Sequence, residues 1–359
     1  MCNGLDRLSD YLDDVKISKT RDFMKYKKVI ITKFGGPEVM QLVEESSLPE
    51  PKSGEVRVKV LKTCANFTDI MIRKGKYPDV KDKPPFSLGY DMIGVVDKPG
   101  KDVSEFQVGD KVADMTVIGA YSEYICLPAN KLTKLPDKID DSEAVTLILS
   151  YMTAYQMLHR IANITEGKSI LIHGAGGAVG IALLQLGKLL DLKVYGTASK
   201  SKHDLVKKHG GIPIDYRNED FEKHIQEQTD GGVDAVFDPI GGKNFKKSFR
   251  SLKPGGKLIG FGFYNAVMGK GGSIPMDFMR IMLWNILPNG RKTSFYSIGR
   301  LRNKHPEWFK EDLQTLFKLL EKNDIKPEIS CHFTLDKAKE VHNKIEKAEI
   351  KGKIIFDVT

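Results

Sequence analysis

A chain of 359 residues, 41% hydrophobic and 29% charged, is long enough to bury two interiors of ordinary size. Its balance is that of a soluble globular protein and not of a disordered, fibrous or membrane-spanning one. The net charge of +9 comes from 56 basic and 47 acidic side chains scattered along the sequence. The densest cluster, Lys243 to Arg250, has the spacing of a solvated helix face, which argues against a nucleic-acid partner but leaves an attraction for small polyanions such as phosphorylated cofactors. Cys2, Cys64, Cys126 and Cys331 form no CxxC pair, so neither a disulfide framework nor a structural zinc site is indicated, and a reducing cytoplasm is the simplest home. The longest uncharged window, Ser169 to Gly187, is broken by five glycines, which marks a turn and not a membrane span. Residues 1–23 lack an apolar h-region and read as an N-terminal extension, in which Leu5, Leu8, Leu12 and Val15 are spaced for one short amphipathic helix.

From Lys28 to about Leu135 the pattern is of short strands separated by Gly/Pro turns. EVRVKV (Glu55 to Val60) alternates with period two, and IGVVDKPG, QVGDKVADM and AYSEYICLP carry β-branched runs closed by turns. After Asp141 the period changes. A helix is expected over Ser142 to Ile161, then SILIHGAGGAVGIALLQLGKLL gives strand, glycine turn and helix, followed by the strand KVYGTA, a helix over His203 to His209 and the strand IPIDY. This alternation, continued by VDAVFDPIGG and GKLIGFG, is what βαβ units of a parallel sheet require. The tail carries a helix over Glu307 to Lys322 with Phe309, Leu313, Leu316, Phe317 and Leu320 on one face, and the closing strand KIIFDV. The pattern divides the chain into the extension 1–23, a β-rich domain 24–148, an α/β domain 149–291 and a C-terminal segment 292–359 that completes the β-rich domain.

The strongest chemical signal is HGAGGAVG, His173 to Gly180. Read from Ala175 it is the dinucleotide fingerprint with alanine in the first slot, directly after a strand and opening a helix. Gly176 belongs to the turn. The N–H groups of Gly177, Ala178 and Val179 are expected to face a pyrophosphate at the positive helix end, and Gly180 to let helix and strand pack closely. His173 is read as a strand-end residue. NAD sites carry a carboxylate about 20 residues past the glycines, but the second strand here ends Gly196-Thr197-Ala198-Ser199-Lys200-Ser201-Lys202. Hydroxyls and lysines suit a 2′-phosphate, so NADPH is the expected cofactor.

These features, with NFTDIMIRKGKYP (Asn66 to Pro78), VGDKV, SYMTAY (Ser150 to Tyr155), GTASKSKHD, IDYR, DPIGG, LKPGGKLIGFG and the terminal KGKIIF, resemble the zinc-independent quinone oxidoreductase branch of the medium-chain dehydrogenase/reductase superfamily. That branch includes the zeta-crystallins and the vesicle amine transport protein homologues. The resemblance covers nearly everything from Met24 to Thr359. It implies an α/β fold class, a Rossmann doubly wound parallel sheet domain plus a GroES-like β-rich catalytic domain. In the superfamily's zinc alcohol dehydrogenases a cysteine ligand precedes the aspartate equivalent to Asp69 by three residues, and a His-Glu pair occupies the GYD position. Here those places hold Asn66 and Tyr90-Asp91, poor zinc ligands, and Cys64 is two residues out of register, so no metal is expected.

Without a Lewis acid, the acceptors that remain are those that take hydride unaided, quinones and α,β-unsaturated carbonyls. From related enoyl-thioester reductases the resemblance makes Tyr77, in Gly75-Lys76-Tyr77-Pro78, the proton donor; the alternative is that it only lines the pocket. It implies nicotinamide-side roles for Asn66 and Asp69, with Asp69 alternatively orienting loop backbone, and a nicotinamide-amide contact for Thr153. It further implies an adenosine-phosphate site of Ser199, Lys202 and Tyr216, in which Lys200 can exchange roles with Lys202. Gly260, Phe261 and Phe263 are expected at the nicotinamide pocket, Lys353 back on the cofactor, and Tyr90 beside the acceptor. The apolar segment Ser273 to Leu287 is either a pocket wall or a contact of the homodimer common in the branch. Competing functions are a 2-enoyl-thioester reductase and a non-catalytic NADPH-binding protein of the vesicle amine transport or crystallin type.

Overall fold

The computed structural model describes residues 24–288 and 290–359. The extension, with its expected helix over Leu5, Leu8, Leu12 and Val15, lies outside the described residues. The chain forms two compact units. One runs up to Asp137 and includes His332–Ala348 and Ile354–Thr359; the other is Lys138–Cys331 with Glu349–Lys353.

In the first unit the long strand Glu55–Ala65 pairs antiparallel with Met92–Pro99, Tyr124–Pro128 and the closing strand Lys353–Asp357. A smaller sheet joins Tyr26–Ile31 to Met40–Glu45 and Phe86–Ser87. Val56, Val58 and Val60 are buried, as the period-two pattern of that strand requires. The sequence pattern shows only strands here, but a helix, Phe67–Arg73, follows the long strand directly. It starts because Asn66 and Asp69 form a reciprocal capping box, which satisfies amide groups that a helix end leaves without partners.

The second unit holds a six-stranded, wholly parallel sheet in the order Ile212–Asp215, Lys193–Ala198, Ser169–His173, Val233–Asp238, Leu252–Gly260, Lys292–Phe295. In chain order this is 3-2-1-4-5-6, the doubly wound arrangement, whose switch point lies between the strands that end at His173 and Asp238. Lys292–Phe295 is the sixth strand. The helix Pro306–Glu321, which buries Phe309, Leu313, Leu316, Phe317 and Leu320, falls in the same unit. Residues 292–331 are therefore built into the α/β unit, where the sequence pattern groups them with the β-rich one. Each fully buried side chain of that helix contributes about 1.5–3 kcal/mol, enough to fix where the segment packs. Between Asp141 and Ala162 the chain is helical throughout, passing twice from α-helical to wider π turns.

Candidate functional site

The β-rich unit gathers its polar side chains around one three-residue stretch, Gly89-Tyr90-Asp91. The Gly89 N–H donates to Asp69 Oδ1 at 3.1 Å. Tyr90 Oη lies 2.6 Å from Tyr77 Oη. Asp91 accepts from the Cys64 N–H at 2.9 Å and from Asn66 Nδ2 at 3.3 Å. Asn66 thus sits between two buried carboxylates: its backbone N–H donates to Asp69 Oδ2 at 2.9 Å, and its side chain donates to Asp91 and to the Cys64 carbonyl at 3.2 Å. Both amide hydrogens are spent on protein acceptors, so the structure gives Asn66 the work of a helix cap.

Behind Asp69 stands a chain that no sequence motif marks. Tyr121 Oη lies 3.4 Å from Asp69 Oδ2 and 3.2 Å from His342 Nε2, and His342 Nδ1 lies 3.1 Å from Arg73 Nη1. An arginine only donates. Nδ1 must therefore accept, Nε2 carries the hydrogen and donates to Tyr121, and Tyr121 donates to Asp69. Burial, then the Arg73 charge, pushes His342 down to about 3, which keeps the ring neutral. Burial, then the Asp91 carboxylate, pushes Asp69 up to about 7. Tyr77 is pushed up to about 12 by burial, against the opposing effect of the Tyr90 hydrogen bond, so its phenol keeps its proton near neutrality. Tyr121 lies 52 residues along the chain from Asp69 and 221 from His342, and AYSEY carries Tyr121 only as part of a strand pattern.

In the α/β unit the strand Ser169–His173 runs into the glycine turn, and the helix Ala178–Leu189 starts at its cap Gly177. A Cβ on Gly180 would lie 2.5 Å from the Gly174 carbonyl oxygen and 2.6 Å from Ala175 Cα, so only glycine lets turn and helix close up. A Cβ on Gly174, where φ is +71°, would meet nothing within 4 Å. This bare turn at a helix N-terminus fits a pyrophosphate. Lys202 lays its carbon stem across Gly176, and its ammonium donates to the Ile350 carbonyl at 2.6 Å. Burial, then Lys351, lowers the Lys202 pKa. Gly352 bridges to Gly177. Lys353, buried, donates to Ser150 Oγ at 2.9 Å and, with Ser150, Ala178 and Ile181, lines a small cavity beside the helix start.

The remaining predicted positions of that unit are less closely gathered. Ser199 and Ser201 hydroxyls lie 3.3 Å apart just before Lys202, and Lys200 is exposed. Tyr216 is exposed, near the Arg217 guanidinium. Thr153 is buried on the helix Met152–Tyr155. Phe263 is buried and stacked on Phe295 at 4.6 Å, whereas Phe261 is half-buried. A Cβ on Gly260 would press on Ile281 at 2.7 Å. His173 lies under the turn: Thr197 Oγ1 is 3.0 Å from Nδ1, Ser248 Oγ is 2.9 Å from Nε2, and Ser248 donates to Asp238 at 2.6 Å. That buried chain ties together the ends of three sheet strands.

Among the described residues no group of three His, Cys, Asp or Glu side chains is arranged to hold a metal ion, and no helix is long and apolar enough to cross a membrane.

Residues 52–137 match the family described as the alcohol dehydrogenase GroES-like domain, and residues 211–356 the family described as zinc-binding dehydrogenase. The synaptic vesicle membrane protein VAT-1 homolog of Danio rerio is 31% identical over 347 residues, which cover 93% of this chain and 70% of that protein. A quinone oxidoreductase of Pseudomonas aeruginosa is 32% identical over 338 residues, 92% of this chain and 99% of that protein. Among solved structures, Escherichia coli quinone oxidoreductase complexed with NADPH aligns with a TM-score of 0.81 at 27% identity, covering 92% of this chain and 99% of the other.

Proposed function

The chain belongs to the quinone oxidoreductase and VAT-1 homologue branch of the medium-chain dehydrogenase/reductase superfamily, and from that membership we propose a zinc-independent, NADPH-dependent reductase of quinones or α,β-unsaturated carbonyls. The observation that carries the cofactor assignment is the bare glycine turn with Lys202 beside it and no carboxylate on the adjoining strand end from Ala198 to Lys202. Gly176, Gly177, Ala178 and Val179 would hold the pyrophosphate. Ser199, Lys202 and Tyr216 would hold the 2′-phosphate side. Thr153, Gly260, Phe261, Phe263 and Lys353 would line the nicotinamide side. When bound, the cofactor supplies hydride. The chain's own residues bind and orient it, exclude water and, at Tyr77, hold a proton for the reduced acceptor. Asn66 and Asp69 support this by fixing the Gly89-Tyr90-Asp91 stretch.

Zinc independence rests on the donor set. The positions that carry ligands in zinc-dependent relatives hold Asn66, spent as a helix cap, and Tyr90, spent on Tyr77. In this reading the α/β unit is the cofactor-binding domain and the β-rich unit the catalytic one. The exposed face of the helix Ile274–Ile286, with Met276, Met279, Met282, Leu283 and Ile286, is the contact of a homodimer, and the scattered cysteines suit the cytoplasm. The persistently protonated Tyr77 also suits a 2-enoyl-thioester reductase, since that chemistry needs a true acid.

Fluorescence titration with NADPH and NADH, followed by a panel of quinones, enals and enoyl thioesters and by sedimentation, tests the proposal. Binding of NADPH at least tenfold tighter than NADH, with turnover of quinones or enals by a dimer, is expected. Turnover of enoyl thioesters alone would move the assignment to the thioester reductases, and NADPH binding without any turnover would favour an interaction protein.

A further inference from the structure

Tyr77 and Tyr90 meet as a phenol pair. Their hydroxyl oxygens are 2.6 Å apart and their rings stand edge to face, with centroids 5.8 Å apart and planes at 89°. The two are not equivalent. Tyr90 is fully buried, whereas Tyr77 is half-buried at the end of a Gly-Lys-Tyr-Pro turn whose other members are exposed. Only Tyr77 therefore has a route to an incoming acceptor.

One hydrogen bond between two hydroxyls uses one hydrogen, so one phenol donates and the other accepts. If Tyr77 donated inward to Tyr90, it would have no proton to present outward. The productive polarity has Tyr90 donating to Tyr77, which leaves the Tyr77 O–H aimed away from the pair. The backbone around Tyr90 is pinned for this purpose. The Gly89 N–H is held by Asp69, the Tyr90 carbonyl accepts from the Val117 N–H at 3.1 Å, and Asp91 is held by Cys64 and Asn66. Gly89 has φ +106°, and a Cβ there would lie 2.5 Å from the Tyr121 nitrogen, so the segment has one available path.

We propose that Tyr90 is a further positioning residue of the reaction: a buried phenol that donates to Tyr77, frees the Tyr77 proton for delivery to carbon, and tunes the site for α,β-unsaturated carbonyls over quinones. This rests on the reading of the protein as a hydride-transferring reductase. Bound NADPH would supply the hydride: its nicotinamide C4–H bond would break as a C–H bond forms at the enone β-carbon, the enone being reduced by two electrons and the nicotinamide oxidised by two. The resulting enolate takes the Tyr77 proton at its α-carbon. The Tyr77 O–H bond breaks, a second C–H bond forms, and the charge left on the Tyr77 oxygen is met by the Tyr90 O–H. Water reprotonates Tyr77 after the product leaves. A quinone places its charge on oxygens that water protonates directly, so it gains less from the pair.

The test compares Tyr90→Phe, Tyr77→Phe and the unmodified protein with an enal and a benzoquinone, following kcat and KM, the solvent deuterium isotope effect and NADPH affinity by fluorescence. Tyr90→Phe is expected to lower kcat for the enal about ten- to hundredfold, the rate equivalent of one hydrogen bond to a charged oxygen. The loss for the quinone should be at least tenfold smaller, the NADPH Kd unchanged and the solvent isotope effect on enal turnover larger. Incorporating 3-fluorotyrosine at position 90, which keeps shape and donor, should restore enal turnover, and it serves alone if Tyr90→Phe does not fold. A large loss in Tyr77→Phe with none in Tyr90→Phe overturns the role of Tyr90 while leaving the reductase reading intact. Equal losses for enal and quinone, or failure of 3-fluorotyrosine to support enal turnover, also overturn it. Absence of NADPH binding in the unmodified protein would instead remove the reading on which it rests.

Discussion

The Lys202 ammonium rests on the Ile350 carbonyl at 2.6 Å, with its carbon stem laid across Gly176. A cation so placed at the end of the second sheet strand is where a 2′-phosphate would be recognised. Exchanging a neutral carbonyl for a phosphate strengthens the bond that Lys202 makes. Lys202→Glu is expected to weaken NADPH binding by at least tenfold while changing NADH binding by less than about threefold, a contrast that follows from one charge-assisted contact. Fluorescence titration of both cofactors checks it; an equal loss for the two would place Lys202 on the part they share.

Asp69 gives the β-rich unit a pH signature. It is buried among the Asn66 and Gly89 N–H groups, the Tyr121 phenol with His342 and Arg73 behind it, and the Asp91 carboxylate. The unfolded chain releases an aspartate proton near pH 4, whereas in the folded protein burial and Asp91 hold it up to about 7. Between those values the folded state carries the extra proton, so stability falls as pH rises, and above about 7 this contribution to the slope vanishes. Urea denaturation across that window should show a shallower decline for Asp69→Asn than for the unmodified protein. An unchanged slope would mean that Asp69 ionises normally.

The Arg73 guanidinium is fully buried and paired with Glu346, which also meets Lys74 at 3.2 Å. Removing the carboxylate leaves a buried cation without its counter-charge. Glu346→Gln is expected to cost roughly 3 kcal/mol and to loosen the hydrogen bond from Arg73 to His342. Replacing both partners, as Arg73→Met with Glu346→Leu, should recover only part of that loss, because an apolar pair needs no counter-charge but leaves the buried His342 Nδ1 and the Gly35 carbonyl without the donors that Arg73 supplies. Thermal denaturation of the single and double variants measures the difference. A Glu346→Gln variant as stable as the unmodified protein would show that Arg73 does not depend on the Glu346 carboxylate.

What the sequence disclosed and what it concealed divide along physical lines. The alternation of strand and helix from Ser169 to Gly260 is local, repeating and strongly patterned, and the parallel sheet follows it closely. HGAGGAVG is equally local, since a turn's glycines are dictated by the backbone they must form. Asn66 and Asp69 were visible as a spaced pair, but the helix they cap was not, because seven residues supply too little periodicity to stand out among strands. Tyr121, Arg73 and His342 escaped altogether. Their meeting at Asp69 depends on the bend before the strand Tyr124–Pro128, the short helix Phe67–Arg73 and the helix Ala338–Glu346 arriving together, and no short motif records contacts over such separations. The phenol pair shows the same effect in reverse: Tyr77 and Tyr90 each stand in a recognisable motif of the sequence, yet only folding brings their hydroxyls within hydrogen-bond distance.

The chain passes between its two units at 137/138, 331/332, 348/349 and 353/354. The last pair of crossings brackets only Glu349–Lys353, the five residues that contain the Ile350 carbonyl, Gly352 and Lys353. Neither unit is therefore a cassette. A chimaera joined at 331/332 would combine a glycine turn from one parent with a Gly352 bridge and a Lys353 amine from the other, and a stop codon after residue 348 would strip both units at once. Substitutions in this pentapeptide and in the glycine turn should accordingly be inherited together, so that lineages which vary one will be found to vary the other.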